Sequence, residues 1–288
     1  MSLFHRHRGL TPYLLLAPGV LFLAVFFVVP LGFLAYQSLQ SGNFDIGYTF
    51  TWSWSNYWDA LHNYKAQFIR SLEYAGIATL LALVISYPVA YWIAFRGGRW
   101  KNLLLLFIVA PFFVTYLIRT LAWETILSDN GFVVQTLQHL HVLGPSGRLL
   151  ATSTAVVTGI TYNFLPFMAL PLYVSLEQID GRLIEAAEDL YASKLQAFLR
   201  VTFPLSLPGV VAGTLLTFIP AAGDFINAQL LGSPDNHMIG NVIQSKFLEL
   251  TDYPAAAAMS FILMAAILVA VFVYARLVGT EQLTGTAV

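Results

Sequence analysis

Long runs of this chain contain no Asp, Glu, Lys or Arg, and they restrict its possible folds more than any motif does. A helix that crosses about 30 Å of hydrocarbon needs about 20 mostly apolar residues, because lipid offers backbone groups no partner and charged side chains insert at high cost. Six runs meet that need: one within 13–36, then 74–95, 102–118, 149–176, 201–223 and 253–275. The third is the shortest and needs polar flanks. Of 288 residues, 10% are charged and 58% hydrophobic, against roughly 25% charged in a soluble domain, which excludes a water-soluble core. The expectation is an all-α integral membrane protein of one transmembrane domain, 1–288, with spans at 13–36, 74–95, 102–121, 151–176, 205–231 and 254–276.

The remaining composition excludes other classes. With 14 Lys+Arg against 15 Asp+Glu there is no basic excess for nucleic acid or anionic lipid, and with no Cys there is no thiol chemistry. One further charge-free run, between Asp129 and Arg148, holds Gln135, Gln138, His139, His141, Gly144 and Pro145 and is too polar to insert. Its Val133, Val134, Leu137, Leu140 and Leu143 fall near helical spacing and predict a short amphipathic helix at the interface. Trp52, Trp54, Tyr57 and Trp58 cluster where an aromatic belt or an interfacial helix is expected.

Orientation follows from Lys and Arg, which are retained on the cytoplasmic side. With the N-terminus inside, nine lie in cytoplasmic segments (Arg6, Arg8, Arg96, Arg99, Lys101, Arg182, Lys194, Arg200, Arg276) and five outside (Lys65, Arg70, Arg119, Arg148, Lys246). Both termini are therefore expected in the cytoplasm. The first span follows His5-Arg6-His7-Arg8 as in a signal peptide, but it is too long and lacks a small-x-small cleavage site, so it is expected to remain.

The loop at 177–204 is the most highly charged stretch and reads as two short helices. Asp180 can cap the first, in which Arg182, Leu183, Ala186, Ala187 and Leu190 accompany the acids Glu185, Glu188 and Asp189. Ser193-Lys194-Leu195-Gln196 is a capping-box pattern for the second, and Pro204 and Pro208 restrict the chain before the fifth span. Composition alone fits a rigid helical knob or an ordinary solvated loop equally well.

Glu185-Ala186-Ala187, with Ala192-Ser193, Phe198, Val201, Pro204 and Leu207-Pro208, resembles the E-A-A loop of binding-protein-dependent ABC importer permeases. The resemblance covers nearly the whole chain and is strongest to permeases of spermidine/putrescine importers, the PotB type. It is carried by Ile118-Arg119-Thr120-Leu121-Ala122-Trp123, Leu165-Pro166-Phe167-Met168, Pro171-Leu172-Tyr173 and Pro208-Gly209-Val210-Val211-Ala212-Gly213. Gly223-Asp224-Phe225, Leu230-Leu231-Gly232 and Met238-Ile239-Gly240-Asn241-Val242-Ile243 continue it.

It implies a six-helix permease of the type I importer (MetI-like) fold in a bacterial inner membrane. The loop would dock on a cytoplasmic ATPase through Glu185, Ala186, Ala187, Asp189 and Tyr191. The family has Gly at the position of Tyr191, where an aromatic residue in a left-handed turn costs on the order of 1 kcal/mol or more.

The implied partners are a homologous second permease in a heterodimer, two ABC ATPase subunits, an extracytoplasmic substrate-binding protein and a polyamine. The chain has no Gly-x-x-x-x-Gly-Lys-Ser/Thr loop, so ATP and Mg would be bound by the ATPase partner. No catalytic residue, metal or cofactor is expected in this chain. Importers of opines, ferric ion or other small cations share parts of the pattern, and a secondary transporter or a membrane scaffold stands as a rival class.

Asp224 follows 23 charge-free residues. An ionised carboxylate facing lipid costs at least about 2.5 kcal/mol, so Asp224 is expected to face a wet pathway or to sit at the helix end near the interface. Ammonium groups on methylene spacers call for carboxylates and aromatic faces. Asp224, Phe225 and Asn227 are the candidates, with Tyr162, Asn163 and Tyr173 behind them; for the tyrosines, simple packing is the alternative.

Arg119 is expected to snorkel to the interface or pair with an acid, outside the site. Glu73 fits either the pathway or the interface. His5, His7, His139 and His141 form His-x-His pairs expected to be solvated, without metal. Pro166 and Pro171 are expected to interrupt the fourth span, and Pro204, Pro208 and Pro220 with Gly209, Gly213 and Gly223 to punctuate the fifth, as gate hinges or as static kinks.

Overall fold

The computed structural model describes residues 11–144 and 146–278; His5, Arg6, His7, Arg8 and Pro145 lie outside them. In chain order the elements are α1 (Thr11–Leu23), α2 (Val29–Ser38), β1 (Gln40–Asn43), β2 (Gly47–Phe50), α3 (Ser55–Asn63) and α4 (Lys65–Arg96). Then come α5 (Lys101–Val109), α6 (Tyr116–Leu127), α7 (Phe132–His139), α8 (Ser153–Glu177), α9 (Gly181–Asp189) and α10 (Lys194–Ala197). The last four are α11 (Phe203–Ala222), α12 (Ile226–Leu231), α13 (Ile239–Gln244) and α14 (Tyr253–Val278). Among the described residues five continuous helices are long and apolar enough to cross a membrane, and six if a bent pair counts as one span. The chain divides into two compact units, residues 1–63 with Ile243–Ile262 and Tyr64–Val242 with the remainder.

In the first unit, α1 and α2 join through a π-helical turn at Ala24–Val28 into one apolar span, Leu15–Ser38, whose most apolar stretch is not buried among the described residues. A helix apolar on every side has no water-facing stripe and suits lipid or another membrane helix. At its end Asn56 Nδ2 donates to the carbonyls of Ser38 and Gln40, both at 2.9 Å, and so holds α3 against α2. Between them β1 and β2 form an antiparallel hairpin, with Gln40 opposite Phe50. Tyr36 stacks on Phe50, while Trp52, Trp54 and Trp58 remain exposed, as an interfacial segment requires.

The second unit is built on α4, α8 and α11 packed together. Its α4 presents Ser71, Ala75, Ala78, Ala82, Ser86 and Ala90 at three- and four-residue spacing, all fully buried. Small residues let membrane helices approach closely, because dispersion contacts replace the hydrophobic drive that lipid does not supply. On α11 a Cβ at Gly209 would stand 2.5 Å from Ser175 Cβ and 2.6 Å from the Pro171 carbonyl oxygen, so only glycine fits. The amphipathic helix expected between Asp129 and Arg148 is α7, with Val134 fully buried.

Three expectations are corrected. The span placed at 102–121 is broken: Gly98–Phe113 and Tyr116–His139 meet at 95°. Val114 and Thr115 are extended there, after Pro111 in a tight 3-10 turn. The span placed at 205–231 stops at Ala222, where Gly223 and Asp224 leave the helix before α12. Finally, Pro166 and Pro171 do not interrupt α8, which runs for 25 residues, since in a membrane helix neighbouring helices and local adjustment re-satisfy the backbone groups that proline frees.

Candidate functional site

Two features stand at opposite ends of one helix. The first begins where α11 ends. Asp224 is 7% exposed, and its Oδ1 accepts the backbone N–H groups of Ile226 at 2.8 Å and Asn227 at 3.2 Å. The carboxylate thus caps the short α12, whose first N–H groups have no partner within the helix. Its Oδ2 accepts the Tyr116 hydroxyl at 2.6 Å and the Asn227 side-chain amide.

Asn227 is fully buried and extends the cluster: its Nδ2 also donates to Tyr116 Oη at 2.6 Å, and its Oδ1 accepts Asn163 Nδ2 at 3.2 Å. Asn163 Nδ2 reaches Thr120 Oγ1 at 3.2 Å as well. Tyr116 and Thr120 share a face of α6 at four-residue spacing, Asn163 comes from α8, and Asp224 and Asn227 come from the break and α12. Gly159 makes the approach of α12 possible, since a Cβ there would lie 2.6 Å from Asn227 Oδ1. From the other side Asn241 Nδ2 donates to the Phe225 carbonyl at 2.8 Å, and a Cβ at Gly240 would stand 2.7 Å from the Gly223 carbonyl oxygen.

Beside this cluster Arg119 is only 8% exposed, its guanidinium 5.4 Å from the Phe112 ring centroid and 5.6 Å from that of Tyr116. Among the described residues it pairs with no acid, and its guanidinium meets these aromatic faces instead. Its Nε and Nη1, like Asn163 Oδ1 and Thr217 Oγ1, find no hydrogen-bond partner among the described residues.

The structure therefore brings together Asp224, Asn227 and Asn163 and adds Tyr116 and Thr120. Phe225 is half-buried beside them. The other two candidates lie elsewhere. Tyr162 packs edge-on against Trp123 and lines an apolar cavity of 580 Å³ with Pro88, Trp92, Phe107 and Pro166. Tyr173 is buried near the end of α8, where Lys101 lies over its ring at 5.8 Å and pairs with Glu177 at 2.7 Å. Glu73, His139 and His141 are exposed.

The second feature is the knob formed by α9 and α10. Asp180 caps α9 through the Arg182 N–H at 3.0 Å, and Ser193 and Gln196 form a reciprocal capping box at α10. Glu185, Ala186 and Asp189 are exposed and Ala187 is half-buried, so α9 shows most of its surface. The knob is not separated from the span behind it. A π turn at Phe198–Thr202, in which the Phe203 N–H donates to the Phe198 carbonyl, carries α10 straight into α11. This gives one helix from Lys194 to Ala222, 29 residues long, on the order of 43 Å. The wide π turn accommodates Pro204, which removes one N–H from the ladder at that point.

Comparison with known proteins gives three relationships. Residues 86–279 match the family described as binding-protein-dependent transport system inner membrane component. The chain is 42% identical over 208 residues to the spermidine/putrescine transport system permease protein PotB of Escherichia coli, covering 72% of this chain and 76% of that one. It is 38% identical over 265 residues to PotB of Haemophilus influenzae, covering 92% and 88%. The fold matches a chain of a bacterial alginate ABC transporter solved in complex with its alginate pentasaccharide-bound periplasmic protein. The TM-score is 0.72 at 19% identity, covering 98% and 99% of the two chains.

Proposed function

The chain belongs to the binding-protein-dependent transport system inner membrane component family, and from that premise we propose how its geometry works. It is a permease subunit of an ATP-driven importer of polyamines in the spermidine/putrescine class. The observation that carries the mechanism is the continuous helix Lys194–Ala222, which has the exposed α9 knob at one end and the Asp224 cluster at the other. Between α9 and the buried carboxylate lie only that helix, the short turn at 190–193 before it and Gly223 after it.

In this reading the α9–α10 knob lies in the cytoplasm with both termini and docks on an ABC ATPase through Glu185, Ala186, Ala187 and Asp189. ATP and Mg are bound there, and the permease makes and breaks no covalent bond. A homologous second permease completes the pathway, and an extracytoplasmic binding protein delivers substrate. In the conformation described, four neutral donors occupy the Asp224 carboxylate. An ammonium group reaches it when α6 and α12 separate, replacing the Tyr116 and Asn227 side chains with a charge-assisted contact. Phe225 and Asn227 lie in the same pathway. Tyr162 and Tyr173 are assigned packing roles.

Reconstitution of the complete complex in liposomes tests this. ATP-dependent uptake of labelled spermidine or putrescine is expected only when permeases, ATPase and binding protein are all present. Uptake by this chain alone in an ion gradient assigns it instead to secondary transport, and uptake of an opine or ferric ion in place of polyamine overturns the substrate class.

A further inference from the structure

The turn between α9 and α10 holds a residue whose conformation nothing among the described residues explains. Tyr191 has φ 60°, in the left-handed region where a Cβ crowds the backbone, and its side chain is 97% exposed. The main chain closes the turn unaided: the Tyr191 N–H donates to the Glu188 carbonyl at 2.9 Å and the Ala192 N–H to the Ala187 carbonyl at 3.1 Å. The ring takes no part in this, and glycine would make the same turn without strain. Next to it Leu190 is 81% exposed, so a large apolar pair projects from the tip of the knob. Strain and exposure together in the isolated chain point to a contact outside it.

The surroundings select the occupant. Asp180, Glu185, Glu188 and Asp189 are acidic, against Arg182 on α9 and the exposed Lys194 just after the turn, so four acids face two bases around the tip. An anionic membrane surface repels such a tip, whereas a protein groove with a basic rim attracts it. Resting on the importer reading above, we propose that Tyr191 anchors this permease to its ATPase subunit. Its ring fills an apolar pocket in the ATPase, and the pocket rim carries Lys or Arg side chains facing Glu185, Glu188 and Asp189. A central aromatic residue in a desolvated pocket, ringed by charge, is the usual form of an interface hot spot.

The test is binding of the ATPase subunit to the assembled permease pair in lipid nanodiscs, for wild type, Tyr191→Gly and Tyr191→Phe, at low and high salt. Tyr191→Gly relaxes the turn, so its thermal stability should not fall, yet its affinity should drop at least about tenfold. Tyr191→Phe should stay within about threefold, and raising the salt should weaken wild-type binding through its charged rim. Binding by Tyr191→Gly within about threefold of wild type overturns the anchor, and binding indifferent to salt overturns the basic rim. Failure of the wild-type pair to bind any ATPase subunit overturns the importer reading itself, a result distinct from both.

Discussion

Tyr116 and Asp224 are 108 residues apart in sequence and 2.6 Å apart in space, the hydroxyl of the one donating to the carboxylate of the other. Through this contact the first helical turn after the 95° break meets the break that ends α11. Two irregular points of the second unit are thus joined by a side-chain hydrogen bond to a carboxylate.

Tyr116→Phe keeps the ring beside Arg119 and removes the hydroxyl, which donates to Asp224 and accepts from Asn227. Hydrogen bonds to charged groups contribute about 1.5–3 kcal/mol, so the variant should lose stability in that range and unfold at a lower temperature in detergent. An unchanged unfolding temperature would mean that the hydroxyl is replaceable by water and does not hold α6 to α12.

Asp224→Asn preserves a side chain that can still cap α12 but removes the charge. Polyamine uptake by the assembled importer should fall at least about tenfold while the complex still assembles, because a desolvated ammonium loses its charged partner. Uptake equal to wild type would remove Asp224 from the pathway and leave it only as a helix cap.

Arg119→Met should leave stability unchanged or raise it slightly, since it removes two buried donors that lack partners and fits a flexible apolar side chain between Phe112 and Tyr116. A loss of about 3 kcal/mol or more in chemical or thermal unfolding would show that the guanidinium is ion-paired.

Gly209→Leu places atoms where Ser175 Cβ and the Pro171 carbonyl already stand. Overpacking of this kind costs about 1–3 kcal/mol, and the unfolding temperature should fall accordingly. Wild-type stability would show that α8 and α11 part easily.

Much of this was legible in the charge-free runs. The positions of α4, α8 and α14 follow from where Asp, Glu, Lys and Arg are missing, and the caps of α9 and α10 follow from Asp180 and from Ser193 with Gln196. The bend at Val114 and Thr115 was not legible, because hydropathy reports that a segment avoids water and says nothing about its direction. The same blindness offered Arg119 an interface or an acid as its partner, whereas it lies over aromatic rings. Of the candidate site, Asp224 and Asn227 were found from a lone acid after a long apolar run. Tyr116 and Thr120 were missed, although their four-residue spacing beside Arg119 was the available signal. Tyr173 was misgrouped because it lies ten residues beyond Asn163 on α8, about 15 Å along the axis.

The mechanical claim is that the knob and the buried acid are linked by an unbroken helix from Lys194 to Ala222. Inserting Gly-Gly-Ser within the π turn at Phe198–Thr202 would break that link while leaving α9 and the Asp224 cluster intact. The decisive measurement is polyamine taken up per ATP hydrolysed by the reconstituted complex, with and without the insertion. The linked-helix account predicts that the inserted variant binds the ATPase and hydrolyses ATP but transports at most about a tenth as much substrate; transport per ATP equal to wild type would contradict it.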